Sequence, residues 1–188
     1  MAIVPVTSPA NAVPALTPTV LKSLQRLYFT PRCRVNRSDR LFNIGKMIPI
    51  HNESEYAIPI EHAAKAIDRV AQTIIGSPPE YRVNFPLEVR FVPGDDIPMS
   101  PATGRDSCYV GAYVASTKWT RPYHRDFEGL MHEYAGRPHW GKLFSRTTRD
   151  FAELYPQYRQ FDALRRECDP NGVFRNVFVE RVFGEIIE

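Results

Sequence analysis

A glutamate and an arginine two residues apart, Glu88-Val89-Arg90, lie in the most strand-like stretch of this 188-residue chain. A period of two aims both side chains from one face of a strand. In a cleft such a pair offers a carboxylate acceptor and a fixed fork of N–H donors, a set suited to a polyhydroxylated substrate. On a solvated sheet the same pair is a surface ion pair worth about 0–1 kcal/mol, and spacing alone leaves both readings open. The densest cluster of chemically capable residues is Gly136-Arg137-Pro138-His139-Trp140-Gly141-Lys142. Its proline and glycines predict a constrained loop, either a tryptophan anchor over a core edge or a site loop carrying a lysine. Other catalytic signatures are missing: the sequence has no GxSxG elbow, Walker A loop, GxGxxG or HExxH. His132 and His139 are separated by Gly136 and Pro138, so their imidazoles would not share a helix face and no zinc site is expected. Asp95-Asp96 reads as a solvated turn rather than a cation site.

Composition bounds the rest. The balance of 24 Lys+Arg against 21 Asp+Glu, with 43% hydrophobic residues, is that of an ordinary globular domain, not a disordered tail. No apolar run approaches the roughly 20 residues of a spanning helix, and no secretory signal is read at the N-terminus. Three scattered cysteines, Cys33, Cys108 and Cys168, predict free thiols in a reducing, cytoplasmic setting. Seven basic residues and one acid lie between Lys22 and Lys46. A solvated face is the favoured reading there and membrane docking the lesser one, while the near-balanced total charge argues against nucleic acid.

These residues need elements to position them. A Pro-rich arm over 1–18 leads into a short amphipathic helix through Val20, Leu21, Leu24, Leu27 and Tyr28. A second helix opens at Pro59, buries Ala63, Ala64, Ile67, Val70, Ala71 and Ile74, and stops at Gly76. A strand is expected over 84–92, with Phe85, Leu87, Val89 and Phe91 on an apolar face opposite Glu88 and Arg90. After the turn at Gly94, a strand over 109–115 aligns Tyr109, Gly111, Tyr113 and Ala115. Helices are expected over 126–134, stopped by Gly136, and over 150–168. Pro156 must kink the latter or split it in two. Its expected apolar side is Phe151, Leu154, Tyr155, Tyr158, Phe161 and Leu164. A turn at 169–172 and an aromatic tail, Phe174 to Phe183, complete an α+β pattern: an antiparallel sheet flanked by helices.

Taken in order, these motifs resemble a known family. Leu87-Glu-Val-Arg-Phe91, Gly94-Asp-Asp-Ile97, Ser100-Pro101 and Arg105-Asp-Ser-Cys-Tyr109 are similar to segments of the aldonolactone oxidases, the gulonolactone and arabinonolactone oxidases. His139-Trp-Gly-Lys142 is similar to that family's His-Trp-Gly/Ala-Lys motif. Tyr155-Pro, Asp169-Pro-Asn-Gly-Val-Phe174 and Asn176 through Phe183 resemble its C-terminal signature, and Tyr56-Ala-Ile-Pro59 another family element. Clear resemblance runs from about Tyr56 to Phe183.

The resemblance implies an FAD-dependent oxidoreductase of the vanillyl-alcohol oxidase superfamily, moving a hydride from a sugar-lactone carbinol to flavin N5. It implies that Glu88 and Arg90 hold substrate hydroxyls before the flavin, that Lys142 lies near the reacting hydroxyl, and that His139, Trp140, Gly141 and Asn176 shape the site. It divides the chain into an arm (1–18), a substrate or cap domain (19–137) and a segment (138–188) that returns to an FAD-binding domain. That domain lacks a counterpart here, so the expectation is a split enzyme whose FAD-binding subunit is a separate polypeptide. The alternatives are an orphan cap domain that binds a sugar acid or regulates a flavoprotein, and a piece of a longer enzyme. Alditol oxidases of the same group have a histidine where this chain has Gly111, a departure that favours a lactone over an open polyol.

Overall fold

The computed structural model describes residues 13–28, 33, 35–41, 51–78, 83, 85–115 and 120–184. Four antiparallel strands form one sheet in the order β2-β3-β1-β4: β1 (His51–Pro59), β2 (Glu88–Val92), β3 (Ser107–Ala115) and β4 (Arg137–Pro138). The helices are α1 (Thr17–Tyr28), α2 (Ser38–Leu41), α3 (Ala63–Ile75), α4 (Thr120–His132), α5 (Thr148–Leu154), α6 (Tyr158–Cys168) and α7 (Val177–Phe183). The architecture is α+β, as the pattern of elements predicts.

Strand β1 was not expected, because Asn-Glu-Ser-Glu has poor strand propensity. Tertiary context overrides that: β1 is central, paired with β3 along its full length and with β4 at Tyr56 and Ala57. Its alternation sorts the sheet into two faces. Tyr56 and Ile58 join Cys108, Val110, Ala112 and Val114 in the core beneath α4, whose Phe127 meets Tyr56 edge-on at 6.1 Å. Cys108 is fully buried there, whereas Cys33 and Cys168 are exposed; all three are free thiols. The second face carries charge and forms the candidate site.

Several sequence expectations shift. Helix α3 starts at Ala63 after a 3-10 turn, Ile60–His62, and buries Ala66 and Val70, while Ala64 is exposed. Helix α4 begins six residues before Asp126 and ends at His132; Ala135 takes the left-handed backbone (φ 49°) before Gly136. A Cβ on Gly136 would sit 2.7 Å from the Met131 carbonyl oxygen, so the close approach demands glycine. The strand expected over 84–92 is regular only from Glu88, with residue 84 outside the described set. Its apolar face is only partly covered: Leu87 packs against the core, but Val89 and Phe91 are exposed because β2 is the edge strand while α4 packs over β1 and β3. Asp95 is hydrogen-bonded rather than simply solvated, accepting from Ser100 Oγ at 2.6 Å and from the Ile97 amide at 3.1 Å.

Pro156 divides the 150–168 helix into α5 and α6. Phe151, Tyr155 and Tyr158 are buried as expected, but Phe161 and Leu164 are exposed. Only 13–18 of the expected arm are described, and there Thr17 is buried at the start of α1. Parts of the basic run also lie outside the described residues; within it, Arg37 pairs with Asp39 at 3.0 Å.

Candidate functional site

Register assembles the charged face. Glu55 and Glu88 both pair with Gly111 across β3, and Arg90 pairs with Tyr109. Paired residues of antiparallel strands share a face, so Glu53 and Glu55 of β1, Glu88 and Arg90 of β2, and Tyr109 and Tyr113 of β3 all point away from the helix-covered core. Gly111 sits in the middle. A Cβ there would come within 2.9 Å of Tyr113 Cε2 and 3.3 Å of Glu88 Cβ, so any side chain would displace Tyr113.

Arg90 is held by three groups. Its Nε donates to Glu55 Oε1 at 3.1 Å and one Nη to the same oxygen; Glu88 Oε1 lies 3.6 Å from Nε; and the guanidinium carbon stands 5.0 Å over the Tyr109 ring. The Glu55 hydrogen bond raises the arginine's pKa further above its ordinary value. Glu88 in turn accepts from the Tyr113 hydroxyl. Burial, reinforced by Glu88, pushes the Tyr113 phenol upward, keeping it a neutral donor.

Lys142 reaches the same face from the loop after β4. The His139 amide donates to the Glu55 carbonyl (2.8 Å) and the Leu143 amide to the Glu53 carbonyl (2.8 Å). Ser54 Oγ donates to the Leu143 carbonyl at 2.9 Å. With backbone bonds on both sides, Lys142 is placed so that Nζ meets the Glu53 carboxylate and stands 5.3 Å over the Tyr113 ring. Burial lowers the Lys142 pKa. Glu53 Oε1 also lies 2.7 Å from His51 Nε2. Through Tyr113, the structure thus joins Lys142 to Glu88 and Arg90, residues 54 and 52 positions away in sequence.

The remaining expected site residues have other contacts. His139 Nδ1 accepts from the Gly141 amide at 3.1 Å, tightening the loop that carries Lys142. Trp140 stacks on Phe151 at 4.9 Å and donates from Nε1 to the Met99 carbonyl at 2.8 Å, within a cluster that includes Phe144, Tyr155 and Phe178. Asn176 caps α7, its Oδ1 accepting from the Val179 amide at 3.0 Å.

Sequence reasoning missed Glu53, Glu55 and Arg137. The first two carry no local signal, because residues 51–55 are all polar and show no alternation of polar with apolar residues. Arg137 is buried and bridges carbonyls of Thr103 (2.6 Å) and Leu154 (2.9 Å), tying β4 to the 93–106 loop and the C-terminal helices.

Comparison with known proteins follows the same lines. The sequence model of the D-arabinono-1,4-lactone oxidase family matches residues 4–182. An L-gulonolactone oxidase from Scyliorhinus torazame is 34% identical over 181 residues, covering 91% of this chain and 40% of the relative. An L-gulono-1,4-lactone dehydrogenase from Mycobacterium tuberculosis is 36% identical over 169 residues, covering 89% of this chain and 39% of the relative. An alditol oxidase from a Streptomyces species is 34% identical over 128 residues, covering 68% of this chain and 30% of the relative. The chain thus spans about two fifths of the length of the first two relatives.

Proposed function

The chain belongs to the D-arabinono-1,4-lactone oxidase family, and from that premise we propose that it is the substrate-binding and catalytic part of an FAD-dependent aldonolactone oxidoreductase. The observation that carries this reading is the joining of Glu88, Arg90 and Lys142 through Tyr113 on the sheet face opposite the helices. The face fits the ring end of a flavin with its substrate: two cations stand beside two tyrosines, and Glu88 and Arg90 remain about half exposed to receive a ligand.

When bound, FAD supplies the two-electron acceptor for the carbinol carbon. Glu88 accepts substrate hydroxyls, and the Arg90 guanidinium donates to ring oxygens while Tyr109 supports it from behind. The Lys142 ammonium faces the reacting hydroxyl, where its charge stabilises the oxygen that gives up its proton. His139 and Gly141 hold the Lys142 loop, Trp140 anchors it to the C-terminal helices, and Asn176 sets the start of α7.

A separate FAD-binding polypeptide completes the enzyme in this reading, and residues 138–188 form the segment that packs on it. The exposed Leu164, Val173, Phe174 and Val177 support such an interface. Among the described residues no helix is long and apolar enough to cross a membrane; the three free thiols are what support a reducing, cytoplasmic setting.

The test is to purify the tagged chain from its native host, record a visible spectrum and identify any co-purifying polypeptide by mass. A yellow complex bleached anaerobically by an aldonolactone is expected. Arg90→Met and Lys142→Met should each slow that bleaching by about 10²-fold, as loss of a charge-stabilising donor does. A colourless, solitary, folded chain, or unimpaired bleaching in both variants, rejects the reading.

A further inference from the structure

Both cations of the open face carry a counter-charge that belongs to the fold. Glu55, 3% exposed, takes Arg90 through Nε and an Nη, and Glu53 takes Lys142 while its other oxygen meets His51 Nε2. Glu88 adds a third carboxylate 3.6 Å from Arg90 Nε. Three carboxylates therefore face two cations. The backbones of Glu53 and Glu55 are held by β3 on one side and by the Leu143 and His139 amides on the other, and their side chains are 20% and 4% exposed, so neither has the freedom of a surface side chain.

An unpaired arginine and lysine on a sheet face would bind a carboxylate strongly, the arginine in a two-pronged fashion. Here the Nε edge of Arg90 is already engaged, and an incoming carboxylate meets like charge from Glu88. We propose that Glu53 and Glu55 are specificity-determining residues: they restrict this face to uncharged polyhydroxyl ligands, so that it takes a ring-closed lactone and refuses the ring-opened aldonate. The discrimination is chemically relevant, because hydrolysis of a lactone yields that aldonate with the same carbon skeleton and the same hydroxyls. The inference rests on the proposed function for the identity of the neutral ligand, but not for the exclusion of anions.

The full chain, isotopically labelled at its arginine and lysine side chains, would be titrated with L-gulono-1,4-lactone, L-gulonate and acetate while the Arg90 and Lys142 resonances are followed by NMR. The lactone is expected to shift both resonances, gulonate to bind at least about tenfold more weakly, and acetate to leave both unmoved. Glu53→Gln and Glu55→Gln should each strengthen gulonate and acetate binding by about tenfold, a change equivalent to about 1.4 kcal/mol. Should Glu55→Gln fail to fold, Glu53→Gln and the half-exposed Glu88→Gln give the same acetate readout. Gulonate or acetate engaging Arg90 or Lys142 of the unaltered chain as readily as the lactone does overturns the proposal. If the lactone moves neither resonance while acetate is still excluded, the proposed function fails and the lactone preference with it.

Discussion

Glu128 is a buried carboxylate kept ionised by the groups around it. The Ser145 amide (2.8 Å) and hydroxyl (2.7 Å) and the Tyr56 hydroxyl donate to it, with His132 Nε2 at 3.6 Å. Burial works to raise its pKa, but these donors together outweigh it and hold the group at about 2, against an ordinary value of 4.5. A depressed carboxylate contributes stability in full above its unfolded pKa and loses it as the pH falls through the folded one. The contribution, about 3 kcal/mol, should therefore drain away between about pH 4.5 and about pH 2. Glu128→Gln should lower the denaturation midpoint at pH 7 and flatten its acid dependence across that window; equal acid slopes for both proteins would contradict the assignment. Buried carboxylates also bear on substitutions in the site. Arg90→Met strands the buried Glu55 without its partner, a loss that solvent around the half-exposed arginine site moderates, so Arg90→Lys belongs beside it as the charge-preserving control. At this scale, Glu88 and Arg90 were legible because one local rule, alternation along a strand, places both. Glu53 and Glu55 were not, since their importance arises only when β1 is set between β3 and β4.

Elements with a strong local signal were the readable ones. Helix α3 announces itself by apolar residues three and four apart and by Gly76, and the division between α5 and α6 follows from Pro156. The three strands that carry the site divide differently. Strand β3 was readable in alternation, including the shared face of Tyr109, Gly111 and Tyr113, whereas β1 owes its conformation to pairing on both edges. Strand β2 had a readable face but an unreadable environment, because its place at the sheet edge is a property of topology. Gly111 is where element geometry meets the site. Gly111→Ala should force the Tyr113 ring aside, break its hydroxyl's bond to Glu88 and cost about 1–3 kcal/mol, as overpacking of a filled position does. A fall in thermal midpoint is the expected outcome, accompanied on the proposed function by weaker lactone binding; an unchanged midpoint would mean that the ring relocates freely.

Across the whole molecule, one continuous core joins the sheet, α3, α4 and the C-terminal helices. Phe151, fully buried against Trp140 and Tyr155, anchors the last of these, and Phe151→Ala should destabilise the chain by about 3–5 kcal/mol in chemical denaturation. Phe174 and Val177, 78% and 88% exposed, contribute little to that core. On the proposed two-chain reading, Phe174→Asp with Val177→Asp should leave the melting temperature unchanged and abolish co-purification of an FAD-binding polypeptide; retained association would place the interface elsewhere. None of this surface behaviour was legible from the aromatic tail, because apolar periodicity specifies that a face is sticky but not which face meets the core. The same core offers a clock for its own opening. Cys33 and Cys168 are exposed and Cys108 lies wholly inside the sheet, where burial also pushes its thiol pKa up. A thiol reagent should therefore label two sites at once and the third only when β3 separates from its neighbours, so the slow mass increment counts breathing events of the sheet without any engineered probe.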